Sequence, residues 1–169
     1  VRVVTAPPYY PAWKISPGYR ALAYTRAMET GATVFRCPLW VPGQPSGAKR
    51  MLHLFSFALS SLPVVLRQIF WRPDVVWMAA PAFACAPGAI VTAKLSGATS
   101  WLHIQDFEVD AAFDLGFIKG QGLRRFALAA ERWLMRRFDI TSSISHKMVD
   151  RLRQKGVPSH KTLYFPNWV

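Results

Sequence analysis

Only nine of the 169 residues are acidic, against twenty-one Lys and Arg, leaving a net charge of +12. A balance this basic calls for an anionic partner: ligand phosphates, acidic lipid or nucleic acid. Cysteine is scarcer still. Cys37 and Cys85 stand alone, with neither metal-like nor redox spacing, so a disulfide framework is excluded and a reduced cytosolic compartment is the default. Secretory character is lacking too, because Val1 to Ala6 already reads as a strand and Arg2 interrupts it. The stretch Gly116 to Gly122 (GFIKGQG) has the spacing of neither a P-loop nor a dinucleotide fingerprint. The longest uncharged run, Met51 to Leu66, covers sixteen positions and includes His53, three serines and Pro63. A spanning helix needs about twenty apolar residues, so this run is too short and too polar to span. It reads either as a helix buried against a sheet or as one in a membrane interface, with Lys49, Arg50, Arg67 and Arg72 on lipid headgroups. Pro63 should kink it or end its first half.

Thirteen prolines and seven tryptophans argue against disorder, and the length suits one domain with a real core. The start without Met points to a fragment. Arg2 to Ala6 reads as a buried strand that leaves through Pro7-Pro8-Tyr9-Tyr10-Pro11-Ala12-Trp13. Three prolines hold those rings at low entropic cost, either as a rigid aromatic lip beside a ligand cleft or folded back onto the core. Tyr24 to Met28, Thr30-Gly31 and Thr33 to Cys37 read as a hairpin, and Val41 to Gly47 as a loop. Asp74 to Ala79 predicts a strand. Ala86 to Leu95 predicts a helix with Pro87 in its first turn and Gly97 at its stop. Leu123 to Phe138 predicts an amphipathic helix, with Leu123, Phe126, Ala127, Ala130, Trp133, Leu134 and Phe138 on its apolar face and five arginines elsewhere. Asp139 to Ser143 predicts a strand, Ser145 the N-cap of a helix through Lys155, and Thr162 to Phe165 the last strand. Strands alternating with helices mean βαβ units and a mostly parallel α/β sheet. The loops after Ala6, Ala79, Ile104, Ser143 and Phe165 should open on one edge, where ligands of such sheets sit.

The acidic residues are concentrated. Asp106, Glu108, Asp110 and Asp114 follow the apolar run Thr99 to Ile104, which ends in His103-Ile104. A calcium loop fails here, since Ala111 replaces the turn glycine and Phe117 the bidentate glutamate. A transition-metal site would have a single His, and a Ser-His-Asp hydrolase lacks its G-x-S-x-G elbow. What remains is a polar cleft for a neutral or phosphorylated ligand, unless His103 is simply a satisfied buried histidine. No nucleic-acid motif interleaves the basic residues with aromatics. A non-catalytic basic module on anionic lipid or nucleic acid is the alternative reading.

The strings VRVVTAPPYYPAW, ATVFRCPLWVPGQPS, MLHLFSFALSS, LHIQDFEVD, SSISHKMV and LYFPNW together resemble the colanic-acid and O-antigen sugar transferases of glycosyltransferase family 4. The resemblance implies the N-terminal, acceptor-side domain of a GT-B fold, a single Rossmann-like domain over 1–169. Two departures stand out: the family's first strand, glycine loop and helix are missing, and so is the nucleotide-sugar domain. The chain alone is therefore expected to be inactive. For the whole enzyme the resemblance implies retaining transfer from a nucleotide-sugar to a polyprenyl-diphosphate-linked saccharide on the inner face of the cell membrane. Neither a cofactor nor a metal is implied. His103 matches a histidine beside the transferred sugar, Asp106 orients its loop or binds sugar hydroxyls, and Ser145 matches a serine at a helix start. Substrate contacts are expected from Pro8, Tyr9, Tyr10, Trp13, Glu108, Ser145 and Asn167.

Overall fold

The computed structural model describes residues 1–44, 46–80, 83–107 and 121–167. They form two compact units, Val1–Arg67 and Gln68–Val169. In the first, β1 (Arg2–Thr5) pairs in parallel with β3 (Ala32–Arg36), and β2 (Thr25–Glu29) pairs antiparallel with β3. The hairpin forms where the sequence predicts it. Thr30 and Gly31 both take positive φ (48° and 80°), as a two-residue turn matched to strand twist requires. Glu29 and Arg36 close the hairpin with a bidentate ion pair, Nη2 to Oε2 at 2.7 Å. The Arg36 hydrogen bonds hold the Glu29 carboxyl below its usual range. Helix α1 (Gly47–Arg67) packs on β1 and continues through Pro63 instead of ending there. Pro63 and Leu59 are both exposed, on the side where solvent can serve the carbonyl that Pro63 leaves without a donor.

In the second unit β4 (Val75–Ala80), β5 (Thr99–Ile104), β6 (Ile140–Ser143) and β7 (Thr162–Tyr164) form a parallel sheet in that order. Helices α2 (Ala86–Ser96), α3 (Gln121–Arg137) and α4 (His146–Gln154) complete a Rossmann-like α/β unit. The core gathers Met78, Ala80, Leu102 and Ile104 from one sheet face with Ala89 and Ile90 of α2, Met135 and Phe138 at the end of α3, and Leu152 of α4. Gly97 stops α2 in the left-handed conformation (φ 76°), its N–H reaching the Ala93 carbonyl.

Two expectations are corrected. The strands do not share one sheet: β1 belongs to the three-stranded sheet, and none of the described strands hydrogen-bonds both sheets. Helix α3 forms as predicted, but Leu123, Phe126 and Trp133 stand exposed while Glu131 and Met135 are buried. An ion pair explains the rotation, since the Glu131 carboxylate turns inward to the Lys155 ammonium at 2.5 Å.

Candidate functional site

In the first unit the carboxyl ends of two paired strands shape a cleft. Thr5 and Arg36 are register partners, and with Ala6, Pro7, Pro8, Tyr9 and Tyr10 they line a cleft of about 310 Å³. Pro8, Tyr9 and Tyr10, expected to contact substrate, all line this cleft. Tyr10 is exposed. Tyr9 and Trp13 fold back, both packing on the buried His53 ring at 4.7 and 5.3 Å between centroids. The lip is therefore part open and part core, and His53, read from sequence only as a polar interruption of the 51–66 run, is its anchor.

In the second unit His103 lies on the sheet face opposite the core, one strand from Ser142, its register partner. Its ring is only 1 % exposed. Trp77 stacks on it at 5.7 Å and Phe165 meets it edge-on at 5.6 Å. The expected open groove at the imidazole is thus closed over, yet the enclosure is not purely hydrocarbon. Trp101 Nε1 donates to Ser142 Oγ (2.7 Å), and the same oxygen lies 2.8 Å from His103 Nδ1. An indole N–H can only donate, so it occupies one Ser142 lone pair; the hydroxyl hydrogen and the second lone pair serve the imidazole according to its tautomer. Burial pushes the imidazole below its usual pKa, the Asn167 side chain opposing that shift. The result is a hydrogen-bonded chain from Trp101 through Ser142 to His103, with the exposed Asn167 side chain influencing the imidazole.

Asp106 stands exposed in the turn after β5, and the next residue, Phe107, is buried under Arg151 and Lys155 at 4.9 and 5.1 Å from its ring. Glu108, with Asp110 and Asp114, falls outside the described residues. Ser145 caps α4 in extended backbone, its oxygen accepting the Met148 N–H at 3.2 Å. Among the described residues no group of three or more His, Cys, Asp or Glu side chains is placed to hold a metal. Trp77, Trp101, Ser142 and Phe165 were not foreseeable as neighbours of His103, because Ser142 lies 39 residues away and only strand register unites them.

Beneath this chain of hydrogen bonds, Asp139 Oδ2 accepts from both the backbone N–H (2.9 Å) and the hydroxyl (2.7 Å) of Ser100. These bonds hold its carboxyl below the usual range. Stability is therefore expected to be level above neutral pH and to fall in two steps on acidification. Below the ordinary imidazole value of 6.5 the unfolded chain takes a proton that native His103 refuses. Below the ordinary carboxyl value of 3.8 it takes one that native Asp139 refuses. Urea unfolding across pH should show the second step missing in Asp139→Asn and the first retained; a pH-independent midpoint would refute both assignments.

A parallel four-stranded sheet flanked by helices defines a Rossmann-like α/β domain, and the comparisons give its class. Residues 1–168 match the glycosyl transferase 4-like domain, and the chain belongs to that family. It is 48 % identical over 171 residues to a protein of Escherichia coli K12 named as a colanic acid biosynthesis glycosyl transferase, WcaI. That match covers 99 % of this chain but 42 % of the relative, so the chain spans less than half of that protein's length.

Proposed function

We propose that the protein is a retaining glycosyltransferase of exopolysaccharide synthesis. It moves a sugar from a nucleotide-sugar donor to a polyprenyl-diphosphate-linked saccharide, working peripherally on the cytoplasmic face of the membrane. Family membership along the whole chain, and a relative named for colanic acid synthesis, support the transferase class and the pathway type. The observation that carries the mechanism is the hydrogen-bonded Trp101–Ser142–His103 chain, beside which we place the exposed Asn167.

Retaining transfer requires stabilising an oxocarbenium-like centre and a departing diphosphate rather than a strong base. A buried, neutral His103 suits that demand, because it orients the exposed Asn167 amide toward sugar hydroxyls instead of removing a proton. Asp106 offers a second hydroxyl acceptor nearby in sequence. Ser145 sets the start of α4, whose first-turn amides at His146 and Lys147 have no helical carbonyl to serve and favour an anionic group. In the other unit, Tyr10 and the cleft it lines suit the face of an acceptor sugar.

The test is a transfer assay on the intact protein with a panel of nucleotide-sugars and a polyprenyl-diphosphate-linked saccharide. A new linkage of unchanged anomeric configuration, read by proton NMR, is expected. Inversion would overturn the retaining assignment, and neither transfer nor donor hydrolysis with any donor would overturn the function.

A further inference from the structure

Helix α1 is built inside out. Its polar residues face its own unit: His53 and Ser61 are buried, and His53 Nδ1 meets the Trp40 carbonyl at 2.6 Å. Ser60 donates to the Pro38 carbonyl, and Ser56 accepts the Trp40 N–H at 3.1 Å. On the opposite side Leu52, Phe55, Leu59 and Leu62 recur at helical spacing and are all exposed, Leu59 by 71 % and Leu52 by 58 %. A soluble helix normally shows the reverse arrangement. Exposed cations bracket the row, Lys49 and Arg50 at one end and Arg67 at the other, and α1 contains no acidic residue.

The helix is long and apolar enough to cross a bilayer. A crossing helix, however, would have to release the His53, Ser56 and Ser60 bonds to the 38–40 segment, and it would leave those polar groups to lipid. Lying flat costs none of them.

We infer that α1 is a membrane-docking face. It rests in the plane of an anionic bilayer, with Leu52, Phe55, Leu59 and Leu62 among the acyl chains and Lys49, Arg50 and Arg67 at the headgroups. Anionic lipid, rather than a protein partner, is favoured because the apolar row is flanked at both ends by positive charge alone. The proposal rests on the transferase reading only for its purpose, bringing the enzyme to a lipid-linked acceptor.

Vesicle co-sedimentation of the intact protein decides it. Binding is expected to vesicles containing roughly one-third phosphatidylglycerol in phosphatidylcholine, and to be weaker with phosphatidylcholine alone. Leu52→Glu with Leu59→Glu should weaken partitioning by about tenfold or more while circular dichroism and thermal midpoint stay unchanged. Unaltered partitioning would overturn the inference. So would a lost thermal midpoint, which would mean that another part of the polypeptide covers the row, or a dimer turned monomer without change in vesicle binding, which would mean that a second copy covers it. No sugar substrate enters this measurement, so its failure is distinct from a failure of the transfer assay.

Discussion

Glu131→Ala is expected to lower the stability of the four-stranded unit by about 3–5 kcal/mol, a large share of the roughly 5–15 kcal/mol typical of a domain. The Glu131 and Lys155 side chains are 1 % and 8 % exposed and meet at 2.5 Å. Removing the carboxylate leaves a buried ammonium without its countercharge, and Lys155 cannot withdraw easily, because its backbone closes α4 through the Arg151 carbonyl. The ammonium also lies over the Phe107 ring, which anchors the start of the acidic loop. Loss of the pair therefore loosens the segment carrying Asp106 as well as the fold. Glu131→Leu combined with Lys155→Met should restore most of the stability, since similar volume without charge avoids the desolvation penalty. Urea unfolding followed by circular dichroism separates these outcomes. If Glu131→Ala cost less than about 1 kcal/mol, the pair would have to be treated as a solvated surface contact.

His103→Ala should reduce turnover on the order of a hundredfold, through loss of orientation at Asn167. It should also destabilise the unit by about 2–4 kcal/mol, because it opens a cavity between Trp77 and Phe165 and strips Ser142 of a partner. A fall in activity alone would then be ambiguous. Asn167→Ala resolves it. That side chain is exposed, so the variant should keep its unfolding midpoint and still lose turnover. If the two residues act through one relay, the double variant should be little worse than either single one. Wild-type turnover in Asn167→Ala would remove the relay from the mechanism.

Much of the local structure was legible because its causes are local. Thr30-Gly31 specified the hairpin turn, Ser145 the cap of α4, and Gly97 the end of α2, each through the backbone conformations those residues favour. The alternation of strands and helices likewise announced a parallel sheet. Misread features were of another kind. The spacing in α3 correctly indicated a helix, but periodicity cannot tell which face meets the core when Glu131 has a buried partner 24 residues away. In α1, the serines and His53 looked like interruptions of an apolar helix; they are its inner face.

The sequence by itself determined the class of fold, the basic character and the segments around His103, because these depend on composition, short-range spacing and turn chemistry. Tertiary structure alone decided that Trp101, Ser142 and His103 form one hydrogen-bonded chain, that Glu131 points inward, and that the Leu52 to Leu62 row points out. Each of these depends on registers and packings between residues far apart in the chain, where burial and pairing outweigh local preference.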